Sequence, residues 1–122
     1  PQTDKKFTFK GKKQKESERI LNDTKLLEKA GVFSVVLECI ETKLSKQITE
    51  KIKIPTIGIG SSSNCDGQVL VIDDIIGMSE SKFKFVKKYV DVSKIIDTAV
   101  KKYKSEVQKK QFPKAKHSFK IK

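Results

Sequence analysis

The spacing of apolar positions changes several times along the chain, and each change marks an element. From Glu16 onward Ile20, Leu21, Thr24, Leu26, Leu27 and Ala30 recur at helical intervals, which predicts an amphipathic helix of about fifteen residues. Gly31 follows the last periodic position, where a glycine ends a helix by turning left-handed. The run Phe33-Ser34-Val35-Val36-Leu37-Glu38-Cys39-Ile40 is apolar and β-branched with little alternation, the pattern of a parallel strand buried on both faces. A second helix is expected from Thr42 to Ile52, with Leu44, Ile48 and Ile52 on one stripe. Ile54-Pro55-Thr56-Ile57-Gly58-Ile59-Gly60 gives a second strand, led in by its proline.

The stretch Ser61 to Gly67 has loop composition and feeds Gln68-Val69-Leu70-Val71-Ile72, an expected third strand. Asp73 to Gly77 suggests one helical turn, and Lys82 to Val90 carries Phe83, Phe85, Val86 and Val90. The last helix is expected over Ser93 to Gln108, its apolar face made by Ile95, Ile96, Ala99, Val100, Tyr103 and Val107. Before Glu16 the chain is polar and basic, with Phe7 and Phe9 alternating as in a short strand or an ordered loop. Helix, strand, helix, strand, strand, helix is the alternation of parallel βα units. Three parallel strands cannot close on themselves, so further strands are expected before Pro1.

Length sharpens that expectation. With 122 residues there is room for one modest domain, and a closed eight-stranded α/β barrel, typically about 250 residues, does not fit. The first residue is Pro rather than Met, as in a chain cut from a longer one. No apolar stretch approaches the ~20 residues of a membrane-spanning helix, and no signal-like segment follows the basic start. Cys39 and Cys65 form no CxxC pair, which favours reduced thiols in the cytoplasm over a disulfide framework or a zinc site.

Charge raises a different partner. The 27 basic residues exceed the 15 acidic ones to give a formal charge of +12, and such an excess can neutralise nucleic-acid phosphates. Arg19 is the single arginine, whereas readers of phosphates and base edges favour the planar guanidinium. A solvated, lysine-rich surface is therefore the first reading, and a small Lys-rich nucleic-acid-binding module is the alternative.

Among single residues, Glu38 carries most information. A carboxylate that ends a buried strand loses solvation unless something pairs with it, and loss of solvation favours its protonated form. The C-terminal ends of parallel strands are also where α/β folds place their chemistry. That suits proton transfer near neutral pH, although a strand-end Glu reaching water or a nearby Lys fits the sequence equally. Gly58, Gly60 and Gly67 imply a tight turn rather than a dinucleotide or P-loop motif, because position 63 is Ser and no GK[ST] follows. Asp66 suits a turn-capping role. His117, the only histidine, has no metal-ligand spacing around it. Phe7/Phe9 and Phe83/Phe85, interleaved with Lys, fit core anchors better than base-stacking platforms.

Together these residues resemble a known family. Val36-Leu37-Glu38-Cys39, Ile54-Pro55-Thr56-Ile57-Gly58-Ile59-Gly60, Asp66-Gly67-Gln68-Val69-Leu70-Val71, Lys84-Phe85-Val86-Lys87, Phe112-Pro113 and His117-Ser118-Phe119, in that order and spacing, are similar to ketopantoate hydroxymethyltransferase. Pro1-Gln2 resembles the end of the family's Gly-Leu-Thr-Pro-Gln segment. The resemblance implies an α/β fold, the C-terminal part of a (β/α)8 TIM-type barrel represented by strands six to eight, with the N-terminal half absent from this chain. It implies hydroxymethyl transfer from 5,10-methylenetetrahydrofolate to 2-oxoisovalerate, giving ketopantoate for pantothenate and coenzyme A biosynthesis. It further implies Glu38 as the proton acceptor, Mg²⁺ ligands in the absent half and no metal residue here, folate contacts left unassigned, and a cytoplasmic homo-oligomer, decamer-like as in bacterial relatives. The isolated chain is expected to be inactive. Departures fall in the loops: Gly60-Ser61-Ser62 stands for the family's Gly-Ala-Gly, Asp73-Asp74 for His-Asp, and Lys116 for the Glu before His-Ser-Phe.

Overall fold

The computed structural model describes residues 8–119. Pro1-Gln2, Phe7 and the outermost lysines lie outside the described residues. Helix α1 spans Gln14–Lys29 and stops where the glycine dictates. Gly31 has φ +86, its N–H donates to the Glu28 carbonyl at 3.0 Å, and the N–H of Val32 reaches the Leu27 carbonyl at 3.4 Å, the paired bonds of a Schellman cap. Thr24 is buried and Ile20 and Leu21 pack against the core, while Leu26 and Leu27 stay exposed.

Strand β1 is Val35–Glu38, helix α2 Thr42–Lys51 and strand β2 Thr56–Ile59. The carboxylate of Glu41 starts α2 by accepting the Leu44 N–H at 2.9 Å, a cap that satisfies an otherwise orphaned donor. Strand β3 is only Gly67–Gln68, followed by the short helix α3, Ile72–Ile76. The expected strand to Ile72 is cut short because the Val71 carbonyl accepts the N–H groups of Asp74 and Ile75, both at 3.1 Å. Asp73 and Asp74 in the first turn of α3 favour that helical start. Among the described residues β3 is paired on one side only.

The three strands form one parallel sheet in the order β1-β2-β3, with Val35 opposite Thr56 and Glu38 opposite Ile59. One face carries Val35 and Leu37, which join Leu44, Ile48 and Ile52 of the α2 region and Cys65 in the core. The opposite face of β1 carries Val36 and Glu38, and both are exposed. Burial thus alternates along β1, where the sequence predicts cover on both faces. The apolar run is suited to two covered faces, but among the described residues only one is covered.

Helix α4, Val92–Gln108, follows its predicted span. Asp91 caps it, taking a hydrogen bond from the Ser93 hydroxyl at 2.7 Å and from the Lys94 N–H at 3.2 Å. Those two bonds, led by Ser93, lower the Asp91 pKa to about 2. The apolar stripe of α4 remains exposed at Ile95, Ile96, Val100, Tyr103 and Val107. Lys46–Glu50 and Lys101–Asp97 pairs lie on solvated helix surfaces, as a lysine-rich exterior does.

Candidate active site

A parallel sheet directs the C-terminal ends of its strands to one rim, where Glu38 ends β1. Of the two readings the sequence left open, the described residues show the strand end open to solvent, because Glu38 shares the uncovered face with Val36. The backbone around it is nonetheless tightly held. The Ser61 hydroxyl, in the loop after β2, donates to the Leu37 carbonyl at 2.6 Å and accepts the Ile40 N–H at 3.0 Å. The Cys39 N–H donates to the Ile59 carbonyl at 2.9 Å, its carbonyl accepts the Lys10 N–H at 2.8 Å, and the Glu41 N–H returns to the Lys10 carbonyl at 2.8 Å.

These bonds hold Cys39 at φ +51, a left-handed conformation that costs an L residue with a Cβ roughly 1–2 kcal/mol. Strain of this kind collects where a side chain must be aimed, and here it sits directly after Glu38. The Cys39 thiol is buried; burial, and then the nearby Glu38 charge, push its pKa up, so it stays a neutral thiol. Neither the left-handed Cys39 nor the Ser61 clamp was foreseen from the sequence. Only Gly60, next to Ser61, hinted at a tight approach.

Gly60 itself has φ +62, and a Cβ there would lie 2.8 Å from the Phe85 ring and 3.0 Å from Cys39 Sγ. Phe85 therefore closes over the backbone at the end of β2, half-buried and outside the core cluster, and its ring stacks on Phe83 at 5.5 Å. Phe83 and Phe9 are exposed, so the described residues do not make these aromatics the core anchors expected. Gly60→Ala combines a strained φ with overpacking and is expected to cost about 1–3 kcal/mol in a urea titration. A wild-type midpoint for this variant would remove the close Phe85 contact from the account.

Beside Glu38 opens a cleft of about 730 Å³, lined by the strand-end residues Cys39, Ser61 and Leu70 and by Lys84, Phe85 and Lys87 of the segment before α4. Glu38 is not among its lining residues; the cleft begins one residue further along the chain. Asp66 lies elsewhere, at the start of β3. Its carboxylate accepts the Thr56 N–H at 2.8 Å and the Thr56 hydroxyl at 3.0 Å, tying β3 to the start of β2 in the turn role expected of it. These bonds, led by the Thr56 N–H, hold its pKa below 3.8. A carboxyl depressed on folding stabilises above its ordinary pKa, and that contribution fades as pH falls through the folded value. Asp66→Asn is therefore expected to lower the urea midpoint at pH 7, with the gap to wild type closing below pH 3.8. A gap independent of pH would contradict the latch.

His117 makes a local contact, its Nδ1 accepting the Lys114 N–H at 3.2 Å. Among the described residues no group of three His, Cys, Asp or Glu side chains could hold a metal ion. The resemblance assigns the Mg²⁺ ligands to residues outside this chain, and no chemical step of the described residues is routed through the ion.

Comparison with known proteins follows the strand-end motifs. The family model for ketopantoate hydroxymethyltransferase matches residues 1–115. A 3-methyl-2-oxobutanoate hydroxymethyltransferase of Pelagibacter ubique is 54% identical over 119 residues, covering 98% of this chain and 46% of that protein. The enzymes of the same name from Geobacter metallireducens and Carboxydothermus hydrogenoformans are 52% and 50% identical, each over 93% of this chain and 43% and 41% of their own lengths. The chain thus spans less than half the length of these relatives. Those shares do not bear out the C-terminal position expected from motif order. What stands of the expected fold is a mixed α/β chain with a small parallel sheet, consistent with the TIM-barrel family.

Proposed function

The chain belongs to the ketopantoate hydroxymethyltransferase family, and from that membership we propose that the protein carrying it transfers a hydroxymethyl group from 5,10-methylenetetrahydrofolate to 2-oxoisovalerate, with Glu38 as the base. The observation that carries the reading is the position of Glu38 at the C-terminal end of a parallel strand, followed by a left-handed residue in a turn held by Ile59, Lys10 and Ser61. β1, β2 and β3 are three consecutive staves of a (β/α)8 wall. The inner face bearing Val36 and Glu38 is then covered by strands outside this chain, which accounts for the apolar residues exposed there.

In the reaction the Glu38 carboxylate takes the proton from the carbon next to the keto group, and the C–H electron pair moves into the carbonyl to leave an enolate. That carbon then bonds to the one-carbon unit, which is at the oxidation level of formaldehyde. Water supplies the hydroxyl, tetrahydrofolate departs, and nothing is oxidised or reduced. The resemblance puts the Mg²⁺ ligands outside this chain, and the ion, when bound there, would supply polarisation of the keto carbonyl. The product serves pantothenate synthesis, and the working form is a cytoplasmic homo-oligomer. No helix among the described residues is long and apolar enough to cross a membrane. Taken alone, the 122-residue chain is inactive, because a base without a keto-acid site has nothing to act on.

The test is turnover by the purified full-length protein supplied with both substrates. Ketopantoate formed only when both are present is the expected result; no product under any metal supplement would refute the reading.

A further inference from the structure

The cleft at the strand ends carries more positive charge than proton abstraction at Glu38 uses. Among the described residues its basic side chains are Lys84 and Lys87 and its acidic one is Glu41. Glu41 is already committed, since the N–H groups of Lys43 and Leu44 at the start of α2 hold its pKa below 4.5 and offset its charge. The lysines are not neutralised in this way. Both are exposed, and among the described residues neither makes a salt bridge, whereas neighbouring Lys88 pairs with Asp91 at 3.7 Å. The Nζ of Lys87 lies 4.8 Å from the centre of the Tyr89 ring, and a turn closed by the Val86 N–H on the Phe83 carbonyl at 3.0 Å carries Lys84. Val69 and Leu70 add apolar lining to the same cleft. A volume of about 730 Å³ lies within the range of small-molecule sites, roughly 300–1,000 Å³.

A cleft that begins one residue beyond the base, with apolar and aromatic lining and two lysines that make no salt bridge among the described residues, matches a ligand with a long uncharged body and an anionic end. A folate has that form, its glutamyl group carrying two carboxylates. Resting on the reading that the co-substrate is methylenetetrahydrofolate, we infer that Lys84 and Lys87 receive its glutamyl carboxylates and so set the affinity for the one-carbon donor. The lysines act on binding and take no part in the proton transfer.

The experiment combines Lys84→Gln with Lys87→Gln in the full-length protein. The KM for methylenetetrahydrofolate is expected to rise about three- to tenfold, the scale of two partly screened charge pairs. The KM of wild type should also climb with added NaCl, and that dependence should flatten in the variant. Exchange of the keto-acid hydrogen with solvent, which needs no folate, reports whether the variant remains folded and the base intact. An unchanged folate KM and salt dependence, with normal exchange, overturns the assignment. Parallel loss of exchange also overturns it, because the lysines would then serve the keto acid or the fold. Failure of the Glu38 assignment would look different, with exchange surviving Glu38→Gln while the lysine variant still weakens the folate.

Discussion

Glu38→Gln in the full-length protein is expected to lower kcat for ketopantoate formation by about 10²–10⁴-fold, the usual contribution of a positioned general base. That range corresponds to roughly 3–5 kcal/mol in the barrier. Glutamine keeps the length and shape of the side chain and removes only its capacity to take a proton. The position tolerates the change structurally, because the turn after it is held by Ser61, Ile59 and Lys10 rather than by the Glu38 carboxylate. The KM for 2-oxoisovalerate should therefore move little, separating a lost base from a lost binding site. Steady-state kinetics on both substrates checks this; a kcat within threefold of wild type would leave Glu38 as a solvated strand end.

The second large effect is on stability. Ile48 is fully buried at 0% exposure, in the middle of α2, within the cluster formed by Val35, Leu37, Leu44, Ile52 and Cys65. Ile48→Ala removes three carbons from a site that cannot collapse without moving α2 off β1, and is expected to cost about 2–5 kcal/mol. For a domain stable by roughly 5–15 kcal/mol that is a large fraction. Urea unfolding should show a lower midpoint at unchanged slope. The loss should carry over to activity near the new midpoint, since α2 begins at the Glu41 cap three residues beyond Glu38. A variant that melts with wild type would mean that the core lies elsewhere.

Much of this architecture is legible in the residues. The stripes of Ile20/Leu21/Thr24, of Leu44/Ile48/Ile52 and of Ile95/Ile96/Val100/Tyr103 each mark a real helix, and Gly31 marks the end of the first. The parallel order of the strands follows from βα alternation. What the residues could not settle depends on neighbours distant in sequence. Whether Val36 and Glu38 are covered depends on what packs on that face, and among the described residues a run suited to burial on two faces is buried on one. The third strand shrank to Gly67–Gln68 because Val69 to Ile72 suits a strand or a helix start equally well, and the carboxylates of Asp73 and Asp74 favour the helix. Glu38 was legible as a candidate because a charged side chain closes an apolar run. The hydroxyl of Ser61 bridging to Leu37 and Ile40, and the left-handed Cys39, were not, since both arise only when two strand ends meet.

The central claim, that this chain supplies the base, is tested most directly by proton abstraction without the rest of the reaction. Full-length protein is incubated with 2-oxoisovalerate in D2O, without folate, and loss of the hydrogen next to the keto group is followed by proton NMR. Wild type should exchange it, and Glu38→Gln should exchange it at least about 100-fold more slowly. Exchange at an undiminished rate in the variant would contradict the account.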